Sequence, residues 1–461
     1  MSAGSRPGLT TALGRYAVEA DLSGVPAAAL ALARRTLVDT VGVALGARHD
    51  PAVMIARTLV GTGGGGATVL TDGTSVRDFD AALLNGVAAH ALDYDDVVDA
   101  LYGHPSTVLW PALLATGEDR GSTTRELVDA YLVAFDVELA LTEGFTLRRH
   151  YARGWHSTAT LGVLGAAAGV ARLLGATPEQ AAVALGIAAS MAGGSRQNFG
   201  TMTKPLHAGL AARDGVLAAR LATAGFTADT TQLEGPLGFF ALYGDGPGDL
   251  DRVLPALPAE PGTAVLAHGV NVKKYPACYN TQRTLDAALE IAARGLDPAE
   301  IDEVRLTVEP GGLDPLIHHR PTTGLEGKFS AEYAVAAALL DRAIGLRTYT
   351  TDAVRRPAAQ QLLARVWVAE QARPPLGPSE WDQAYAVLEV GYRSGKRETN
   401  RVDVPHGDRR APLDDADLRR KFVDCLDFAG LGAAADTVHT QLTAFGDDTP
   451  FTGFGALAAA R

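Results

Sequence analysis

The sequence predicts a mainly α protein in which a large helical region, built from both chain ends, carries a smaller inserted α+β segment. Three observations lead there. Apolar residues recur every three or four positions in capped segments up to about residue 260. Near Pro258 the texture changes, and across 264–401 β-branched residues alternate with polar ones, as in Glu303-Val304-Arg305-Leu306-Thr307-Val308 and Ala386-Val387-Leu388-Glu389-Val390. The C-terminal residues then return to the helical style of the opening. The expected division is 1–262 plus 408–461 for the helical domain and 263–407 for the α+β domain.

In chain order, Ser23 or a neighbour is expected to cap a helix over 26–45 that Gly46 stops. The GTGGGG run at 61–66 lacks the Lys-Ser/Thr ending and the βαβ context of a phosphate loop, so it reads as a turn leading into a short hairpin at Asp72-Gly73. Residues 85–114, NGVAAHALDYDDVVDALYGHPSTVLWPALL, set two His and four Asp into otherwise apolar sequence. At helical spacing His90, Asp93 and Val97 share a face, with Asp96 one turn from Asp93. Gly103 and Pro105 are expected to end that helix and Ser106 to cap the next, over 107–113. His104 then stands at the junction, beside backbone N–H groups that favour an anion.

A helix over 123–142 follows, then a polar, aromatic connection ending at His156. Ser157 or Thr158 is expected to cap the next helix, where Gly162, Gly165 and Gly169 predict close approach by another helix. Gly175 closes it. Thr177-Pro178-Glu179-Gln180 opens another, running to about Met191, with a cap, a first-position proline and a Gln three residues on. The loop 193–203 delivers Lys204 and His207, neighbours on a helix surface, to an Ala-rich helix ending near Gly225. Within the α+β segment helices are expected over 281–292, 330–341 and 351–362, with a turn at Ser394-Gly395. Leu413-Asp414-Asp415 caps a helix through Phe428, and a last apolar helix follows Leu431.

Composition bounds the function. At 461 residues the chain is long enough for about three domain-sized units, with two large ones also allowed. A net charge of -12 and the absence of a basic block argue against nucleic acid or an anionic membrane surface as partner. Cys278 and Cys425 are the only cysteines and form no CxxC, which excludes a disulfide framework and fits a reducing cytoplasm. The N-terminus has no signal-peptide core, and the longest apolar run, 158–171, is too short to span a bilayer, so a soluble protein is expected. Six lysines stand against thirty-five arginines. The lysines that survive such a bias are candidates for positions where a compact ammonium is needed, and Lys204, Lys273 and Lys274 are among them. Lys204 also sits at a helix start, against the dipole, where an anionic ligand would explain it.

Several motifs resemble the MmgE/PrpD family, which contains 2-methylcitrate dehydratases, aconitate decarboxylases and an epimerase of an imino dicarboxylate. They are HALDYDDVVDALYGHPS, GWHSTATLGVLGAAAGVARLLG, KPLHAGLAARDGVLAA, LEGPLGFF, KKYPACY and EGKFSAEYAVAAALL, in order over roughly residues 10–430. The resemblance implies a helical domain made by both chain ends, a smaller α+β lid, a homodimer, no metal or organic cofactor, and a site between the domains. Motif by motif it places functional residues at Asp93, His104, His156, Lys204 and Lys273. His90, His207, Lys274 and Tyr275 are the candidates for substrate binding. Two departures stand out. Many members read Asp-Asp-Thr-His where this chain has Asp95-Asp96-Val97-Val98, and a lid tyrosine that some decarboxylases contribute has no match near 316–320, where His318-His319-Arg320 stands.

Dehydration, decarboxylation and epimerisation of a polycarboxylate all develop enolate character beside a carboxylate. They need a positioned acid or base and positive charge where negative charge grows. His104 or His156 supplies the first, Lys204 and Lys273 the second, and Asp93 is expected to orient an imidazole. The expectation is a lyase acting on a small di- or tricarboxylate, with water elimination first and decarboxylation or epimerisation as alternatives. Two rivals fare worse. Asp95-Asp96-Val97-Val98-Asp99 is a literal DDxxD, but no second Asn/Asp-Ser-Glu motif accompanies it. A metal site at His90, His104 and the aspartates is permitted by spacing, but no His-x-x-x-His or His-Glu pair supports it. A binding protein on the same fold, without catalysis, is the remote alternative.

Overall fold

The computed structural model describes residues 8–244, 248–295, 297–378 and 382–454, and the architecture is mainly helical with two small sheets. One apolar core runs from Leu9 to Val272 and then takes in Leu413, Phe422, Leu426, Val438, Phe445 and Phe454. Both chain ends therefore share it. A second core gathers Leu285, Ile291, Val304, Leu306, Leu339, Leu388 and Val390 around the four-stranded sheet. We propose that these two cores mark the two domains.

The strand order in that sheet is Val366–Glu370, Ile301–Val308, Ala386–Tyr392, Arg397–Val402; the first pair is parallel and the other two are antiparallel. Val366–Glu370 has no counterpart among the sequence expectations, because it is an edge strand with most of its residues exposed or half-exposed and so carries little alternation. The Asp72-Gly73 hairpin forms, pairing Ala67–Thr68 with Ser75–Val76. Capping boxes at Thr123 and Thr177 start the helices Thr124–Thr142 and Pro178–Met191. Along Gly162–Leu173 the three glycines lie against Val108, Leu109 and Ala130, so neighbouring helices do approach closely there.

The closest approach that bears on the site lies between Asp78–Ala91 and Thr203–Thr223. A Cβ on Gly86 would sit 2.8 Å from Gly209 Cα, and one on Gly209 would sit 2.5 Å from Leu83 O. Two glycines let the backbones touch. That crossing brings His90, in the last turn of the first helix, beside Lys204, in the first turn of the second.

Some local expectations are corrected. The helix carrying His90 does not continue to Gly103 but stops at Ala91, and Asp93 turns left-handed at φ 50°. Asp93, Asp95 and Asp96 compete for backbone hydrogen bonds, and β-branched Val97 and Val98 follow, so continuing the helix is locally unfavourable. Val97 instead bridges Asn271. Ser106 makes no cap; its hydroxyl donates to Asp96, and the helix Ser106–Arg120 follows Pro105. His156, not Ser157 or Thr158, occupies the next N-cap position. Ser23 does not cap Ala27–Gly46, whose last residue is Gly46 itself. The helix expected over 351–362 is broken into Thr351–Arg355 and Pro357–Leu363, since Pro357 lacks an N–H and pushes Arg356 to ψ 137°.

Candidate active site

Where the helix stops at Ala91, the chain folds Asp93, Asp95 and Asp96 inward, all buried, under the imidazoles of His90 and His104. The ring centroids of those two histidines are 4.6 Å apart, and His156 stacks 5.8 Å from His90. Lys204 enters from its helix N-terminus, placing Nζ 2.7 Å from Asp93 Oδ1 and 2.8 Å from His90 Nε2. Lys273, which is 1% exposed, donates to the Asp93 carbonyl at 2.8 Å and to Oδ1 at 3.1 Å. All five residues expected to act catalytically thus meet in one buried cluster. His207 joins it through Nδ1, 3.2 Å from Nδ1 of His156.

Hydrogen-bond logic assigns the tautomers. An ammonium only donates, so Nε2 of His90 is an acceptor and its Nδ1–H donates to Asp95 Oδ2 at 2.8 Å. Nδ1 of His104 faces two acceptors, the Asp96 carbonyl at 2.8 Å and Asp95 Oδ2 at 3.1 Å, and therefore carries the proton. Its Nε2 keeps a free lone pair, with no protein donor among the described residues. His90 is spent on holding Lys204; His104 has a basic nitrogen to offer.

Burial sets the charge states, and neighbours adjust them. It pushes His90 down to about 3, aided by Lys204 and opposed by Asp95. It pushes His207 to about 4, takes His156 well below the usual histidine value, and lowers His104. These imidazoles are neutral near pH 7. For Asp93 burial acts upward, but Lys204 and Lys273 outweigh it and hold the carboxyl well below its usual range. Asp95 is likewise ionised, because His90 and His104 override its desolvation. Burial drives Asp96 well above the usual carboxylate value, reinforced by Asp39 and Asp95, so it stays protonated. Phe199 and Phe329 cover the cluster, with Lys204 Nζ 5.4 and 5.3 Å from their rings.

Two expected substrate ligands do not join. Lys274 is turned to Asp286 Oδ1, 3.8 Å away, and the Tyr275 hydroxyl donates to the same carboxylate at 2.6 Å. Both line a separate cleft with Tyr94, Arg347 and Asp424. The chain bends at 274–277, just after Lys273. Of the lid histidines, His318 reaches the Phe199 carbonyl at 3.2 Å, while His319 pairs with Glu332 near the surface. Sequence reasoning missed Asp95, the shared acceptor of two imidazoles, and the buried Lys328. The scarcity of lysine was a signal that reached Lys328 too.

His90, Asp95 and His104 offer ligand atoms within 4.8 Å of one another. The two nitrogens facing Asp95, however, are the protonated ones, and Lys204 and Lys273 already bring positive charge. The donor set is matched as a hydrogen-bonded one. Neutral imidazoles beside two ammonium groups suit a polyanion that exchanges a proton at carbon.

Comparison with known proteins identifies relatives of the chain. The chain is 30% identical over 351 residues to a human cis-aconitate decarboxylase, an alignment covering 74% of this chain and 71% of the relative. It is 31% identical over 353 residues to the mouse cis-aconitate decarboxylase, covering 74% and 70%. An Aspergillus terreus cis-aconitate decarboxylase is 24% identical over 433 residues, covering 87% and 86%. The MmgE/PrpD N-terminal domain model matches residues 11–249 and the C-terminal domain model matches 275–439. With both halves matched, and the buried His/Lys/Asp cluster falling on the motifs that first suggested the resemblance, the chain belongs to the MmgE/PrpD family.

Proposed function

We propose that the protein is a lyase that removes carbon dioxide from a small tricarboxylate of the cis-aconitate type. The observation that carries this reading is the placement of neutral imidazoles and two ammonium groups around one buried carboxylate, Asp93. Lys204 and Lys273 hold substrate carboxylates. As the C–C bond to the departing carboxylate breaks, its electron pair passes into an enolate-like system that the ammonium charges stabilise. A proton is then delivered to carbon by His104 or His156. A bound polyanion raises the proton affinity of the neutral imidazoles, so the substrate itself loads the acid. The names of the cis-aconitate decarboxylase relatives support this reading over the other branches.

Water elimination from a hydroxy tricarboxylate is the second reading. It is favoured by the lid stretch 316–320, where His318 is tied to Phe199 and no tyrosine stands. The discriminating experiment incubates purified protein with citrate, 2-methylcitrate, cis-aconitate and amino dicarboxylates and follows products by NMR and mass spectrometry. Release of carbon dioxide from cis-aconitate supports the first reading and loss of water supports the second. Inertness toward the whole panel refutes both.

A further inference from the structure

Four of the six lysines are buried, Lys204, Lys273, Lys328 and Lys421, and all four converge on one short segment. Leu92 is the C-cap of Asp78–Ala91, so its carbonyl and those just after it lack helical partners. Lys328, next after the turn Gly324–Gly327, donates to the Leu92 carbonyl and, at 3.2 Å, to that of Pro276. Lys273 donates to the Asp93 carbonyl at 2.8 Å. Lys421, on Asp415–Phe428, donates to the Tyr94 carbonyl at 2.7 Å and to that of Lys273 at 2.9 Å, and pairs with Asp39 at 2.6 Å. Three successive carbonyls each carry their own ammonium. At their centre Asp93 sits at φ 50°, a left-handed conformation that L residues other than Asn and Asp rarely adopt.

An ammonium on a flexible stem can reach a single carbonyl inside a packed core, where the planar fork of Arg would leave several donors unmatched. We propose that Lys328, supported by Lys421, is a positioning residue that fixes the left-handed turn at Asp93 and so sets its carboxylate between Lys204 and Lys273. Lys328 reaches across from the α+β part, which makes seating of that part a condition for the catalytic geometry. Burial, the largest influence, lowers Lys328 to about 8, so its charge is present at neutral pH and lost just above. The turnover arm of the test rests on the proposed function; the spectroscopic arm does not.

The experiment compares Lys328→Met with Lys396→Met, whose lysine is exposed just before Arg397–Val402 and meets Glu398 and the ring of Tyr392. In ligand-free protein labelled with ¹⁵N at the histidine rings, Lys328→Met is expected to shift the His90 resonances, because Asp93 and with it Lys204 move, while Lys396→Met leaves them in place. On the substrate the panel identifies, kcat should fall about tenfold or more with KM within about threefold, the signature of misplaced reacting groups. Wild-type kcat is expected to decline above about pH 8, and this decline should be absent from the variant. A folded Lys328→Met with unshifted His90 signals overturns the proposal, as does an unchanged kcat that keeps the alkaline decline. Should that variant not fold, Lys421→Met carries the same test of the His90 resonances. If wild type consumes no panel compound, the functional reading fails and the His90 resonances still decide this one.

Discussion

Single residues hold the chemistry, and their charge states make it testable. Because His104 has a free Nε2, while Lys204 and Lys273 flank Asp93, His104→Gln, His156→Ala and Lys273→Ala are each expected to lower kcat at least about 100-fold, with circular dichroism unchanged. Near-normal turnover in all three would remove the site. The imidazoles are held below the usual 6.5, so above that pH they are neutral and only acid protonates them. Two consequences follow. Because the imidazole must carry the proton it delivers, kcat/KM, which reports the free enzyme, should decline with rising pH from a point below pH 6.5. Binding a polyanion raises those proton affinities, so calorimetry in buffers of different ionisation enthalpy should record proton uptake; release on binding would contradict the assignment. Asp93, His104, His156, Lys204 and Lys273 were legible because residue type and motif order survive without coordinates. Asp95 was not, because an aspartate among aspartates carries no mark of which one two imidazoles share.

At the scale of elements, most helices announce themselves through caps, prolines and terminal glycines, as Thr123, Thr177, Pro178 and Gly175 do. What stayed hidden was the break after Ala91. Periodicity there continues past the helix end, and the turn is stabilised by Lys273, Lys328 and Lys421, distant in sequence. The crossing at Gly86 and Gly209 was equally invisible, since a lone glycine in a helix reads as a cost. Its role is testable: Gly86→Ala places a methyl 2.8 Å from Gly209 Cα, and pushing the helices apart should destabilise by about 1–3 kcal/mol in urea titrations while separating His90 from Lys204. An unchanged unfolding midpoint with full activity would show that the close approach is dispensable.

For the whole molecule, the apolar core that joins Leu9 to Phe454 matches the reading that the C-terminal residues return to the helical region. Among the described residues no helix is long and apolar enough to cross a membrane. Met54, Ile55 and Leu59 stand exposed together around Pro51–Thr58, as a partner surface would require. We expect a homodimer, with light scattering giving a mass near twice 47.9 kDa; a monomer mass at micromolar concentration would refute it. Decarboxylation can be followed with cis-aconitate labelled with ¹³C in its carboxylates and incubated in heavy water. The enzyme should release ¹³C-labelled carbon dioxide and fix one deuterium at carbon in each product molecule. Recovery of the cis-aconitate unconsumed and without deuterium would contradict this reading.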